Sequence, residues 1–165
     1  MVIEVDDSGW GDLLGGAIIV LRRIESDERF VGEISLKAFQ GTAFVEKQYI
    51  LEALQVVRKG ILTLGVTQDE PVRVCTGFIL SGVRNALINE GFKVMPSRIV
   101  GITQEYAEEE FIKSLVRLGV GSFSDVKAIR SFKGYLNWIF RDLEKREHLV
   151  KTGWKSWPRL RRGMS

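Results

Sequence analysis

Three strand signals follow one another before any helix, and helix then alternates with strand; this order constrains the fold more than any single residue does. Val2-Ile3-Glu4-Val5-Asp6 reads as a short strand running into Asp7-Ser8-Gly9-Trp10-Gly11-Asp12, a stretch of turn formers. Gly15-Gly16-Ala17 then opens the run Ile18-Ile19-Val20-Leu21, whose brevity and β-branched content predict a buried strand. From Phe30, the residues Phe30, Gly32, Ile34, Leu36 and Ala38 alternate with Val31, Glu33, Ser35 and Lys37, the period of a strand with one wet face. Gly41-Thr42 breaks the pattern, and Thr42 is positioned to cap a helix over residues 43–64, where Ile50, Leu54, Val57, Ile61 and Leu64 recur at helical spacing. Residues 72–76 predict a fourth strand, followed by a helix carrying Leu80, Val83, Ala86 and Leu87 and closed by Gly91. Residues 98–103 read as a fifth strand, residues 104–118 as an acidic helix ending at Gly119, and residues 126–149 as a last helix capped by Ser124-Asp125.

The 165 residues, 45% of them apolar, suffice for one core and leave no room for a second independent one. The expected division is an α/β core over residues 1–123, with a basic C-terminal helix and tail, residues 124–165, packed on the same domain. No apolar stretch approaches the roughly 20 residues that cross a bilayer, so a cytoplasmic protein without a membrane partner is expected. A single cysteine, Cys75, rules out an internal disulfide and a Cys-based zinc site, and reads as a small buried strand residue. His148 is the lone histidine and sits in a charged segment. The net charge of +3 conceals an asymmetry: residues 1–123 hold 13 Lys and Arg against 17 Asp and Glu, and residues 124–165 hold 11 against 4. Basic charge gathered at one end is an electrostatic signature of a polyanion partner, and equally of a solvated basic helix.

Three antiparallel strands, then alternating helix and parallel strand, with an aspartate closing the first strand in Val5-Asp6-Asp7-Ser8-Gly9 and a glycine-rich entry to the second, resemble the ribonuclease H-like superfamily over residues 2–118. The resemblance implies a five-stranded mixed sheet with helices on both faces and a C-terminal helix. It also implies a nuclease or related phosphodiester-processing protein in which carboxylates hold two divalent cations, Mg2+ or Mn2+, about 4 Å apart. The first carboxylate falls on Asp6 or Asp7; successive strand residues point to opposite faces, so one of them is expected to aim at the site, with Asp6 preferred. The second falls on Glu46 or Glu52. Glu46 lies four residues before Ile50 and eight before Leu54, on the core-facing stripe, whereas Glu52 is about 240° round the wheel from it, so Glu46 is the better candidate. Among Glu105, Glu108, Glu109 and Glu110, spacing from Phe111 and Leu115 selects Glu108. A solvated acidic first turn would also account for such residues.

The family's aspartate at the end of the fourth strand is missing, and Thr76-Gly77 stands in its place. That strand-to-helix junction could receive a phosphate through free N–H groups and the hydroxyl, or be a simple turn. In the tail, Lys151, Trp154, Lys155, Trp157, Arg159, Arg161 and Arg162 interleave cations with aromatic faces, a mixture that suits nucleic acid; the alternative for Trp154 and Trp157 is packing back on the domain or a homo-oligomeric contact. The leading expectation is a metal-dependent nuclease using Asp6 or Asp7, Glu46 and Glu108. The alternatives are a non-catalytic ribonuclease H-like domain binding nucleic acid or protein, and a phosphate or nucleotide site built from residues 6–11 and Thr76-Gly77.

Overall fold

A computed structural model describes residues 1–163; residues 164 and 165, the end of the expected tail, lie outside the described residues. Five strands, β1 (Ile3–Ser8), β2 (Ala17–Arg23), β3 (Arg29–Ile34), β4 (Val72–Cys75) and β5 (Val94–Ser97), form one mixed sheet in the order β3-β2-β1-β4-β5. β1 pairs antiparallel with β2 and parallel with β4; β2 pairs antiparallel with β3, and β4 parallel with β5. The helices are α1 (Gly41–Val45), α2 (Gln48–Thr63), α3 (Ser81–Asn89), α4 (Ile102–Arg117), α5 (Phe123–Ile129), α6 (Phe132–Phe140), α7 (Leu143–Arg146) and α8 (Trp157–Arg162). Among the described residues no helix is long and apolar enough to cross a membrane.

The unbroken apolar run in β2 follows from burial on both faces. Ala17, Ile19 and Leu21 join Ile3, Val5, Val72 and Val74 in a core closed by α2 and α3. Ile18 and Val20 face the other way, into a core with Ala107, Phe111 and Leu115 of α4. The C-terminal segment completes that second core through Val126, Tyr135, Ile139, Val150 and Trp157, and Leu14 bridges to Val150.

Several expected boundaries move, each for a local reason. β1 continues past Asp6 because Asp7 and Ser8 still pair with Ile19 and Ile18. β3 stops at Ile34, and a 3-10 turn, Leu36–Phe39, takes Ala38 and Phe39 into the core. The helix expected over residues 43–64 is two helices, since Lys47 adopts a left-handed backbone (φ 56°) between α1 and α2. The fifth strand is Val94–Ser97, in register with Val72–Cys75. Residues 98–103 instead lead through Gly101 (φ 83°) into α4. The terminal helix is broken as well. Ser122 and Asp125 form a reciprocal capping box on α5, and the Ser131 hydroxyl accepts the Gly134 N–H to restart the chain as α6. A Cβ at Gly134 would lie 2.2 Å from the Ile129 carbonyl oxygen, so only glycine permits that tight restart.

Lys151 is fully buried. Its Nζ donates to the carbonyls of Asp12 (2.6 Å) and Leu14 (3.0 Å) and lies 5.1 Å from the Phe39 ring centroid, tying the loop after β1 to the C-terminal segment. Burial pulls its pKa down to about 7, opposed by the nearby Asp12 carboxylate. An unfolded lysine titrates near 10.4, so unfolding takes up a proton between those two values. The resulting penalty is fully present below pH 7 and fades as pH rises towards 10. We therefore expect stability to gain about 2 kcal/mol from this group between pH 7 and 9. Lys151→Met should lower the melting temperature at pH 9 and flatten that rise. Parallel pH profiles for the two proteins in thermal melts would refute the assignment.

Candidate metal centre

β1 keeps its pairing with β2 to the last residue, whereas its pairing with β4 ends at Val5 and Val74. Beyond that point the two central strands part, and a cavity of about 410 Å³ opens at their carboxyl ends. This is the place where open α/β sheets hold ligands, because the chain leaves neighbouring strands in opposite directions there. Asp6, Asp7, Ser8, Trp10, Cys75, Thr76, Arg98, Glu108 and Arg130 are among the residues lining it.

Alternation places Ile3 and Val5 in the α2–α3 core, so Asp7 leaves β1 on that face and Asp6 on the α4 face. One aspartate was expected to reach the site, but both line the cavity. The reason is the missing neighbour: with β4 ended at Cys75, the carboxylates meet round the strand end. One ligand atom from each of Asp6, Asp7 and Cys75 lies within 4.8 Å of the others. Asp6 retains only 5% exposure. Burial raises its pKa, backbone and thiol hydrogen bonds oppose this, and the charges of Glu108 and Glu4 add to the rise. Asp7 is pushed up to about 6, first by burial and then by the charge of Asp6. Burial, followed by the two carboxylates, moves the Cys75 thiol up to about 11. Among the described residues neither aspartate forms an ion pair.

Glu108, on α4, lines the cavity opposite β1. Glu109 and Glu110 turn away to Lys113, and Glu105 faces a neighbouring surface depression. Glu46 is not brought to the site. The left-handed turn at Lys47 interrupts the helix whose periodicity had projected Glu46 onto the core stripe, leaving it exposed with the Gln48 amide as partner (3.1 Å). Glu52 receives the Ser35 N–H and hydroxyl. Thr76 lines the cavity, but the N–H of Gly77 is directed to the Cys75 sulfur, and a Cβ at Gly77 would stand 3.2 Å from Asp7 Oδ1. Gly77 thus permits close approach of Asp7, and its own N–H is turned to the sulfur.

The tail does not present the surface expected of it. Lys151 is buried, as is Trp157, which stacks on Phe140 and donates its indole N–H to Glu147. Trp154 packs against the second core, and Arg161 pairs with Glu147 (2.6 Å). Lys155, Arg159 and Arg162 are exposed.

Cys75, Arg98, Gln104 and Arg130 line the cavity without having been assigned to a site from the sequence. Cys75 follows Val74, which pairs with Val5, and alternation along β4 would have set it beside Asp6. Arg130 sits at the break between α5 and α6, which the helical periodicity had masked. Its Nε donates to Asp12 Oδ2 (3.0 Å) and its Nη2 to Ser8 Oγ (3.0 Å); burial opposes its charge, but Asp12 more than compensates and raises its pKa. Asp12 also accepts the Tyr135 hydroxyl. Trp10, in the turn after β1, lies within residues 6–11, the segment the phosphate or nucleotide alternative names, and it lines the cavity.

Two neighbouring like charges without a counter-ion destabilise a protein that holds no cation there. In the presence of a chelator, Asp7→Asn should therefore raise the melting temperature; a fall would show that the carboxylate is held by stabilising contacts. No protein-family profile matches this chain, and no curated protein matches it.

Proposed function

We propose that the cavity is a divalent-metal centre and that the protein hydrolyses phosphodiesters in nucleic acid on a ribonuclease H-like scaffold. The observation that carries this reading is the convergence of Asp6, Asp7 and Glu108 on one cavity at the end of the central strand, with ligand atoms of the two aspartates and a thiol within 4.8 Å of one another. Three antiparallel strands joined through β1 to a parallel pair are the build the resemblance implies, and the carboxylates lie at the end of β1 and on the helix after β5 where it puts them.

The donor set fits a cation by its chemistry and its closeness: two carboxylate oxygens and a sulfur lie within 4.8 Å of one another, near the separation of ligand atoms that share one ion. Asp6 and Asp7 would hold it, with Cys75 in reach. Two hard oxygens and a softer sulfur favour Mn2+ over Mg2+. When bound, such an ion makes a water nucleophilic at neutral pH and offsets the phosphate's charge. The chain's own residues supply the rest. Arg130, locked by Asp12 and Ser8 at the cavity wall, presents a fixed cation to a phosphate oxygen. Glu108, opposite, is placed to take a proton from the attacking water.

Mn2+ should raise the melting temperature of the wild-type protein by mass action, by about 2.7 kcal/mol of stability at a hundredfold excess over Kd. Asp6→Asn or Asp7→Asn should cancel the rise and lower cleavage of a labelled oligonucleotide at least about a hundredfold. Glu46→Gln should leave both intact. Cys75→Ser should narrow the preference for Mn2+ over Mg2+. Unchanged melting under Mn2+ and Mg2+, with no cleavage in either, would remove the proposal.

A further inference from the structure

We infer that Trp10 and Phe78, with Lys47 above them, form a stacking platform beside the cavity for an unpaired base, so that the nucleic acid taken by this site is single-stranded. This rests on the phosphodiester reading above. Trp10 belongs to the cavity lining and also to a cluster of rings with Phe39, Phe44, Tyr49 and Phe78. Phe39 and Tyr49 lie deep in the α2–α3 core. They stack on each other at 5.6 Å and 9° and give the cluster a rigid back. The outer members differ. Phe78, 5.8 Å from Trp10, keeps 48% of its surface exposed just beyond the end of β4, two residues after Thr76 of the cavity wall.

A ring so exposed beside a polar cavity contributes little to the core. It offers a flat apolar face, and every base has a π-face to set on it. The neighbouring charge has the sign a phosphate requires. Lys47 Nζ stands 5.8 Å from the Phe78 centroid, and Lys47 is one of two described non-glycine residues with a left-handed backbone, at the break that separates α1 from α2. Arg98 and Arg130 add cations along the cavity. The rings and Lys47 lie on the α2–α3 flank of the cavity, and Arg130, held by Asp12, lines the other flank. A paired duplex keeps its base faces stacked internally and cannot use the platform, whereas a single strand can.

The test is fluorescence anisotropy of short labelled oligothymidylate and oligouridylate, with Ca2+ present to occupy the carboxylates, and with a blunt duplex of equal length and an unlabelled protein mixture as competitors. Single strands should bind more tightly than duplex. Phe78→Ala, at an exposed position, should weaken that binding about tenfold while leaving duplex binding unchanged. Phe78→Trp should preserve it, and Lys47→Gln should lower the salt slope by about one. Equal binding by wild type and Phe78→Ala, preference for duplex, displacement by protein alone, or no binding at all would overturn the platform. The two readings fail separately: Mn2+-dependent cleavage indifferent to Phe78→Ala removes the platform and spares the metal centre, while ring-dependent binding without cleavage does the reverse.

Discussion

The molecule is organised by the unequal pairing of its central strand. Among the described residues β1 is the one strand shared by the antiparallel and parallel halves of the sheet, and its two edges do not end together: the β2 edge is paired through Ser8, the β4 edge only to Val5. Asp6, Asp7 and Ser8 therefore have a strand on one side and an opening on the other. Polar side chains would be costly in the middle of a sheet buried on both faces, but here they border a cavity that water or a ligand can enter. The turn that follows then sends Trp10 to the α2–α3 side and Asp12 to the α4 side, so the chain lines the opening with aromatic rings on one flank and fixed charge on the other.

That fixed charge explains where much of the basic excess of the C-terminal segment goes. Arg130 is held by Asp12, Lys151 by two carbonyls of the loop after β1, Arg146 by the Trp138 carbonyl and Arg161 by Glu147. Cations used in this way fasten the last third of the chain to the sheet, and their positive charge is partly spent before any partner arrives. A count of charges along the sequence measures the excess but not its availability. The same holds for the tail aromatics, since Trp157 fills the second core and so cannot stack on a base.

Much of the architecture was legible in residue patterns. The apolar run of β2, the glycines closing α3 and α4, and the helix–strand alternation depend on local periodicity and backbone freedom, which a sequence displays directly. The errors lie where a single residue changes the backbone without disturbing the pattern. Lys47 can adopt a left-handed conformation while the apolar spacing runs on past it, and this alone displaced Glu46 from the expected site. Ser131 and Gly134 did the same to the terminal helix and concealed Arg130. Asp6, Asp7 and Glu108 were legible because each lies near the end of a correctly read element. Cys75 was not, because its meaning depends on strand register, which arises from pairing between segments about 70 residues apart.

Buried charge elsewhere shows how unusual the aspartate pair is. Glu4 receives Arg73 and the Thr103 hydroxyl, Arg22 reaches Asp27, and Arg23 binds both Glu28 and Glu70. Asp12, beside the cavity, has Arg130 and Tyr135. Each is a carboxylate or guanidinium whose charge is answered within the protein, as desolvation requires. Asp6 and Asp7 face each other and a thiol instead, although Arg130 is close enough to line the same cavity. Asp12 keeps that guanidinium occupied from behind. The aspartates are left with an electrostatic deficit that an added cation would remove, and the arrangement that denies them an internal partner is the one that holds an arginine ready at the cavity wall.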